Sequence, residues 1–374
     1  MLNYLRPLKL SSNRVWRTYK GGKLLEDWQG VKNISTDGDF PEEWVASVTR
    51  ARNVIKHGKN EGLSYIKSGD SRIFLSDLIN SAPDIFLGKE HVEKYGCNLG
   101  ILVKLIDSAE RLTIQVHPDS KIAKQLFHSQ FGKTEAWYIL GGRNNGQEPP
   151  YIMLGFKPEM NKEKWKQLFY KQNIEAMLGS LHKFYIKPGQ VFLLEGGVPH
   201  AIGPGCFLVE IQEPTDYTIR VERTTPSGKK IPDILCHQGI GFDNIFECFS
   251  YQSLSRRETL KRWLLKPIIN YQSDFAYEEI LIDGKRIPYF SMRSLLIYNS
   301  FSIRSENIFS IIIVISGNGK IIYENKSMLI NKGDKIFLPA CLDKLNFKNI
   351  CSVQPLHLIR CFPPDTTKKE DNYK

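Results

Sequence analysis

Ile186-Lys-Pro-Gly-Gln-Val-Phe-Leu-Leu194 joins a strand end to an apolar strand through a Pro-Gly turn. The same pattern returns 144 residues later as Ile330-Asn-Lys-Gly-Asp-Lys-Ile-Phe-Leu338. A second pair supports it. Glu135-Ala-Trp-Tyr-Ile-Leu-Gly-Gly142 resembles the run that starts at Ile311, and this alignment places Glu135 on Ile311 and His200 on Lys344. Two related β units follow from the echo. Working outward, Ile101–Ile106, Leu112–Val116, Ala136–Leu140, Phe184–Ile186, Val191–Leu194 and Phe207–Ile211 are short apolar strands separated by Gly and Pro. Two stretches have helical spacing instead: Ser120–Phe131, opened by the capping pair Asp119-Ser120, and Pro158–Ser180, with Trp165, Leu168, Phe169, Ile174, Met177 and Leu178. The predicted architecture is mainly β, two units in tandem. The first spans residues 1–250 with a helical insertion at about 119–182, the second spans 251–365, and a frayed polar tail occupies 366–374.

The 374 residues suit two domains. With 41% apolar and 24% charged residues and a mean hydropathy of −0.30, the chain is neither disordered nor collagen-like. The longest tight apolar run, Ile311–Ile315, is far short of a membrane span, and the start MLNYLRPLKLSSNRVW has no apolar core of a signal peptide. The expected compartment is the cytoplasm. Seven cysteines, odd in number and without Cys-x-x-Cys spacing, argue against a disulfide framework and a thiolate zinc site. The net charge of +11 favours anionic partners. The densest basic stretch, Arg256 to Lys266, has the spacing of a solvated helix face, and no nucleic-acid-binding signature occurs. The expected partner is a small anion such as a sugar phosphate, with no nucleic acid and no membrane. A monomer is compatible with the sequence.

Three segments of the first unit carry ligand-type side chains: Leu112-Thr-Ile-Gln-Val-His-Pro-Asp119, Gly132-Lys-Thr-Glu-Ala-Trp-Tyr138 and Gly196-Gly-Val-Pro-His-Ala-Ile202. Gln115 and His117 are two apart and share a strand face, as do Lys133 and Glu135. Either histidine alone reads as a hydrogen-bonded core residue, and Gln115 alone as a surface residue. Together, two histidines, a carboxylate and an amide make a mixed nitrogen and oxygen set suited to zinc or another divalent metal, with one position open. The second unit keeps the strand pattern and lacks these residues, so they serve a site and not the fold.

These segments, with Lys187–Gly203 and Leu208–Arg220 (LVEIQEPTDYTIR), resemble the type I mannose-6-phosphate isomerases, a metal-dependent family of the cupin superfamily with jelly-roll barrels. Trp16, Glu42 and Trp44 add weaker likeness. The resemblance covers about the first 225 residues well and the rest loosely. It implies that Gln115, His117, Glu135 and His200 hold one zinc ion per chain. It further implies that Arg220 is catalytic, that Lys133 belongs to the active site, and that Glu210 takes part in proton transfer. Val221-Glu-Arg-Thr-Thr225 departs from the family's usual Tyr/Asp-rich stretch.

An aldose–ketose isomerase moves a proton between C1 and C2 through an enediol(ate). It needs a Lewis acid, a base within hydrogen-bond reach and a fixed charge for the developing oxyanion. Glu210 and Lys133 are both candidate bases. Arg220 can serve the oxyanion or the phosphate, and Lys133 also fits substrate binding. Thr113, on the same face as Gln115 and His117, offers a hydroxyl to the phosphate. Taken as bare residues, Glu210 and Arg220 read as a structural ion pair. The rival functions are a metal-dependent cupin oxygenase, which calls for a His-rich iron site, and a non-catalytic sugar-binding cupin, which calls for eroded ligands in both units.

Overall fold

The computed structural model of the chain describes residues 4–31, 36–53, 58–304 and 306–366. The tail expected from residue 366 onward lies, past Thr366, outside the described residues. The first barrel is built from a seven-stranded antiparallel sheet in the spatial order Leu264–Leu265, Val191–Leu194, Glu135–Gly142, Cys206–Gln212, Leu102–Asp107, Glu42–Val45 and Arg14–Val15. A five-stranded sheet packs on it: Leu181–Tyr185, Tyr151–Phe156, His200–Ile202, Gln115–Val116 and Ile219–Arg220. In the second barrel the seven strands run Leu8–Lys9, Lys335–Leu338, Ser310–Ser316, Leu356–Phe362, Ser291–Ile297, Ala276–Ile282 and Ile268–Gln272. Its facing sheet has four: Ser300–Arg304, Lys344–Asn349, Asn318–Tyr323 and Lys326–Asn331. The inner strands of the two barrels follow the same order, while Ile219–Arg220 has no counterpart in the second barrel and the edge strands Leu264–Leu265 and Leu8–Lys9 come from opposite ends of the chain.

Strand alternation explains the layers. Trp137, Ile139 and Leu208 point into the first barrel and meet Ile152, Leu154 and Ile202 from the facing sheet. Their neighbours Ala136, Tyr138, Val209 and Ile211 point the other way, onto Ile311, Ile313, Ile359 and Cys361 of the second barrel. The two large sheets therefore lie back to back over one apolar core. On the far side, Ile114, Val116, Met153 and Ala201 are covered by Trp165, Phe169 and Met177 from the helices Lys162–Tyr170 and Ile174–Gly179. Asn161 and Asn173 cap these helices by accepting from backbone N–H groups.

The helix expected at Ser120–Phe131 is capped by Asp119 as its sequence suggests, but it ends at Phe127 because His128 takes a left-handed φ of 53°. The long Pro158–Ser180 pattern divides at Lys171–Asn173 into the two helices above. Between residues 119 and 182 also run Glu135–Gly142 and Tyr151–Phe156, strands of the barrel itself. Among the described residues no helix is long and apolar enough to cross a membrane.

Register also corrects the repeat alignment. Glu135 lies opposite Leu194, and Ser310 lies opposite Leu338, so Ser310 and not Ile311 is the counterpart of Glu135. Likewise His200 faces Leu154 and Gln115, while Leu345 faces Tyr323 and Ile303, so the counterpart of His200 is Leu345 and not Lys344. A slip of one residue exchanges faces: Ile311 belongs to the core between the barrels, and Lys344 is exposed. The corrected counterparts still include no metal ligand.

Candidate metal centre

Gln115 and His200 sit opposite one another on adjacent strands of the five-stranded sheet, and His117 follows Gln115 by one turn of the pleat. Glu135 begins a strand of the other sheet. The Gly196-Gly197 turn draws these parts together. Gly197 has a φ of 90° and donates its N–H to the His117 carbonyl at 2.7 Å, and a Cβ on Gly196 would lie 2.6 Å from the Asp119 Cα. The result is a buried cluster in which the ligand atoms of His117, Glu135 and His200 all lie within 4.8 Å of one another.

Hydrogen bonds set the histidine tautomers. His117 Nδ1 is 2.8 Å from the Tyr217 carbonyl and His200 Nδ1 is 2.9 Å from the Val198 carbonyl. A carbonyl only accepts, so both Nδ1 atoms carry the proton and both Nε2 lone pairs face inward. They stand 3.1 and 3.2 Å from the two Glu135 oxygens, yet neither oxygen receives a well-directed hydrogen bond. Two lone pairs and a buried carboxylate converging on one point fit a bound cation. Lys133 Nζ occupies this electron-rich point in the described structure, 2.8 Å from His117 Nε2 and 3.0 Å from Glu135. Gln115 completes the set with its amide 3.1 Å from His200 Nε2. Burial, reinforced by the Lys133 charge, lowers the His117 pKa to about 3, and burial also lowers that of His200, so both rings are neutral ligands. Burial works against the Glu135 charge, but the Lys133 ammonium beside it outweighs burial and holds the carboxyl well below its usual range.

Beside the cluster opens a polar cavity lined by Thr113, Gln115, Lys133, Glu210 and Arg220. The structure thus brings every residue singled out in the sequence to one barrel interior. It does not pair Glu210 with Arg220. Glu210 Oε1 accepts from Lys104 at 3.0 Å and Oε2 from Trp137 at 3.0 Å. Burial raises the Glu210 pKa despite Lys104. Arg220 donates to the carbonyls of Leu235 at 2.7 Å and Thr218 at 3.3 Å, and no carboxylate lies within 4 Å of it among the described residues.

Sequence reasoning passed over Lys104, Arg17 and Asp216, which line the same cavity. Arg17 pairs with Glu42 at 2.9 Å and with Asp216 at 3.1 Å. The signal for Lys104 was present: it is the one cation inside the apolar strand ILVKLI. Around the cavity and cluster, the cations Arg17, Lys104, Lys133 and Arg220 balance the anions Glu42, Glu135, Glu210 and Asp216. A divalent cation would leave two positive charges in excess, the complement of a phosphate dianion.

A tandem cupin with one histidine–carboxylate centre and a cationic cavity beside it defines a class, the metal-dependent cupin enzymes. Comparison with known proteins narrows this. Residues 34–136 match the phosphomannose isomerase type I catalytic domain and residues 285–354 the mannose-6-phosphate isomerase cupin domain. The probable mannose-6-phosphate isomerase GmuF of Bacillus subtilis is 28% identical over 72% of this chain and 79% of its own. The mannose-6-phosphate isomerase ManA of the same organism is 25% identical over 92% of this chain and 96% of its own. A crystal structure of the mannose 6-phosphate isomerase from Bacillus subtilis superposes with a TM-score of 0.73 at 22% identity, covering 95% of this chain and 99% of that one, which establishes the shared fold. Over both matched domains and along nearly its whole length, the chain is similar to the type I mannose-6-phosphate isomerases.

Proposed function

We propose that the chain interconverts mannose 6-phosphate and fructose 6-phosphate at a zinc ion held by His117, Glu135 and His200, with Gln115 beside them. The observation that carries this reading is the pair of inward Nε2 lone pairs meeting an unsatisfied buried carboxylate next to a cationic cavity. Metal bound there supplies Lewis-acid polarisation of the sugar oxygens. Arg220, with no carboxylate within 4 Å among the described residues, offers a fixed charge to the phosphate or to the enediolate oxygen, and Thr113 offers a hydroxyl. Glu210 and Lys133 line the same cavity and share the proton-transfer work. The raised pKa of Glu210 brings it nearer the working pH of a general base, and Lys104 and Trp137 hold it in place. Every named side chain comes from one barrel of one chain, so the site needs no partner subunit. All seven cysteines are free thiols, which suits a reducing cytoplasm.

The test is a coupled assay of mannose 6-phosphate conversion together with metal analysis of the same preparation. Turnover that follows zinc content supports the proposal. Metal-loaded protein inactive on mannose 6-phosphate would overturn it.

A further inference from the structure

Lys133 reaches both the metal cluster and the substrate cavity, yet it sits on the loop Gly132 to Thr134 and not on a strand. No ladder pairing fixes it there, so the backbone bonds of the loop decide where its side chain starts. The Lys133 N–H donates to the Pro118 carbonyl at 2.9 Å, just after His117. The groups on either side of Lys133 go to one other segment, Glu213 to Thr215, which follows the strand Cys206–Gln212. Glu213 Oε1 accepts from the Gly132 N–H at 3.1 Å, and Oε2 accepts from the Thr134 N–H at 2.8 Å. The Glu213 N–H donates to the Thr134 carbonyl at 3.0 Å, and Thr215 Oγ1 donates to the Gly132 carbonyl at 2.7 Å.

Glu213 is 2% exposed, and its two oxygens answer backbone N–H groups instead of a cation. A buried carboxylate is costly, and burial raises its pKa against the pull of these N–H groups. A hydroxyl would satisfy one N–H at less expense. What the carboxylate adds is a second equivalent acceptor, so that one side chain holds the residues before and after Lys133 together. Gly132 serves the same seating: a Cβ there would lie 2.8 Å from the Pro118 carbonyl oxygen and 2.7 Å from the Asp119 carbonyl carbon. Glu135 is fixed differently. It begins a strand and is paired with Leu194 on one side and Gln212 on the other.

From this geometry we infer that Glu213 is a positioning residue for Lys133 in the isomerase reaction: it grips the backbone on both sides of Lys133 and sets where the ammonium stands in the cavity. The inference rests on the proton-transfer role given to Lys133 above. Loss of the grip displaces the lysine, while strand pairing keeps Glu135 and the metal set in place. Misplacing a reacting group by about 1 Å costs up to roughly a hundredfold in rate, and a loop still held by Pro118 and Thr215 should lose about tenfold.

The test is a double-mutant cycle on mannose 6-phosphate turnover by the full-length, metal-loaded protein, with zinc content and folded fraction measured on each preparation. Glu213→Gln keeps the volume but turns one oxygen into an amino group that faces an N–H. It should lower kcat about tenfold, with KM changed less than about twofold and zinc near one per chain. Lys133→Met should lower kcat by about a hundredfold or more. Adding Glu213→Gln to Lys133→Met should cost less than about twofold further, because no ammonium is left to aim. Glu213→Asp is too short to reach both N–H groups, should show the same pattern, and takes over if Glu213→Gln does not fold. A tenfold loss repeated in the Lys133→Met background, or zinc lost in step with kcat, would make Glu213 a staple of the fold or the metal centre and overturn the inference. Wild-type kcat in Glu213→Gln would overturn it too. Wild-type kcat in Lys133→Met would overturn the role of Lys133 itself, and the inference with it.

Discussion

Replacing Arg220 by alanine separates charge from scaffolding. The structure removes the simplest structural explanation for this residue, an ion pair with Glu210, because Glu210 is bonded to Lys104 and Trp137. What Arg220 does hold is backbone, through one short bond to Leu235 and a longer one to Thr218. Losing these should cost about 1–3 kcal/mol of stability, the range for hydrogen bonds from a charged donor. Losing the charge aimed into the cavity should cost roughly a hundredfold in kcat/KM, about 2.7 kcal/mol. Arg220→Lys distinguishes the two. Its single ammonium can reach the Leu235 carbonyl and restore most of the Tm, but it cannot reproduce a planar two-pronged contact, so kcat/KM should recover only in part. The assay is coupled turnover, zinc content and Tm on one preparation, with zinc expected to stay near one per chain in both variants. A variant with a large Tm loss and near-normal turnover per folded molecule would refute the reasoning and make Arg220 a staple.

Three further outcomes follow from the packing and the buried charges. The Arg17 and Lys104 charges overcome the burial of Glu42 and hold its pKa at about 2 against an ordinary 4.5. Its contribution, about 3 kcal/mol, is therefore complete above pH 4.5 or so and is lost as the pH falls towards 2. In urea titrations of metal-free protein, Glu42→Gln should be less stable at pH 7 and show a shallower acid slope, and an unchanged slope would remove Glu42 as its source. Lys104→Met strands Glu210 and Glu42 without their cation and should cost about 3–5 kcal/mol, most of it recovered on adding Glu210→Gln; additive losses would show that the pair is not coupled. Ile313→Ala, in the core between the barrels, should cost about 2–5 kcal/mol in one cooperative transition, whereas two separate transitions would mean that the barrels unfold independently.

The repeat and the ligand set were legible because both are local. A Gly turn before an apolar strand is a short-range signal, and polar residues two apart in a strand mark a shared face. The one-residue slip in the repeat arose because Ile311–Ile315 is apolar at every position and shows no alternation to fix its face, and only the pairing of Ser310 with Leu338 decides the register. The Lys104–Glu210 pair is 106 residues apart and was hidden by long-range register. The strand Leu8–Lys9 was hidden for the same reason. It crosses to pair with Ile336–Phe337 of the second barrel, and nothing in its own residues names that partner. The helices Leu75–Ser81, Pro83–Leu87 and Lys89–Tyr95 are too short for periodicity to announce them.

The measurement that bears most directly on the whole account is the metal content of the wild type beside that of His200→Ala. The two inward lone pairs and the buried Glu135 carboxylate fit a bound cation, and the second barrel offers no comparable set among its described residues. The wild type should hold one tightly bound zinc per chain. His200→Ala should hold close to none, be inactive on mannose 6-phosphate, and keep a Tm near that of the metal-free wild type, since the barrel's own core carries the fold. A His200→Ala protein that retains its full zinc, or a wild type with a second zinc in the second barrel, would contradict the placement of the centre.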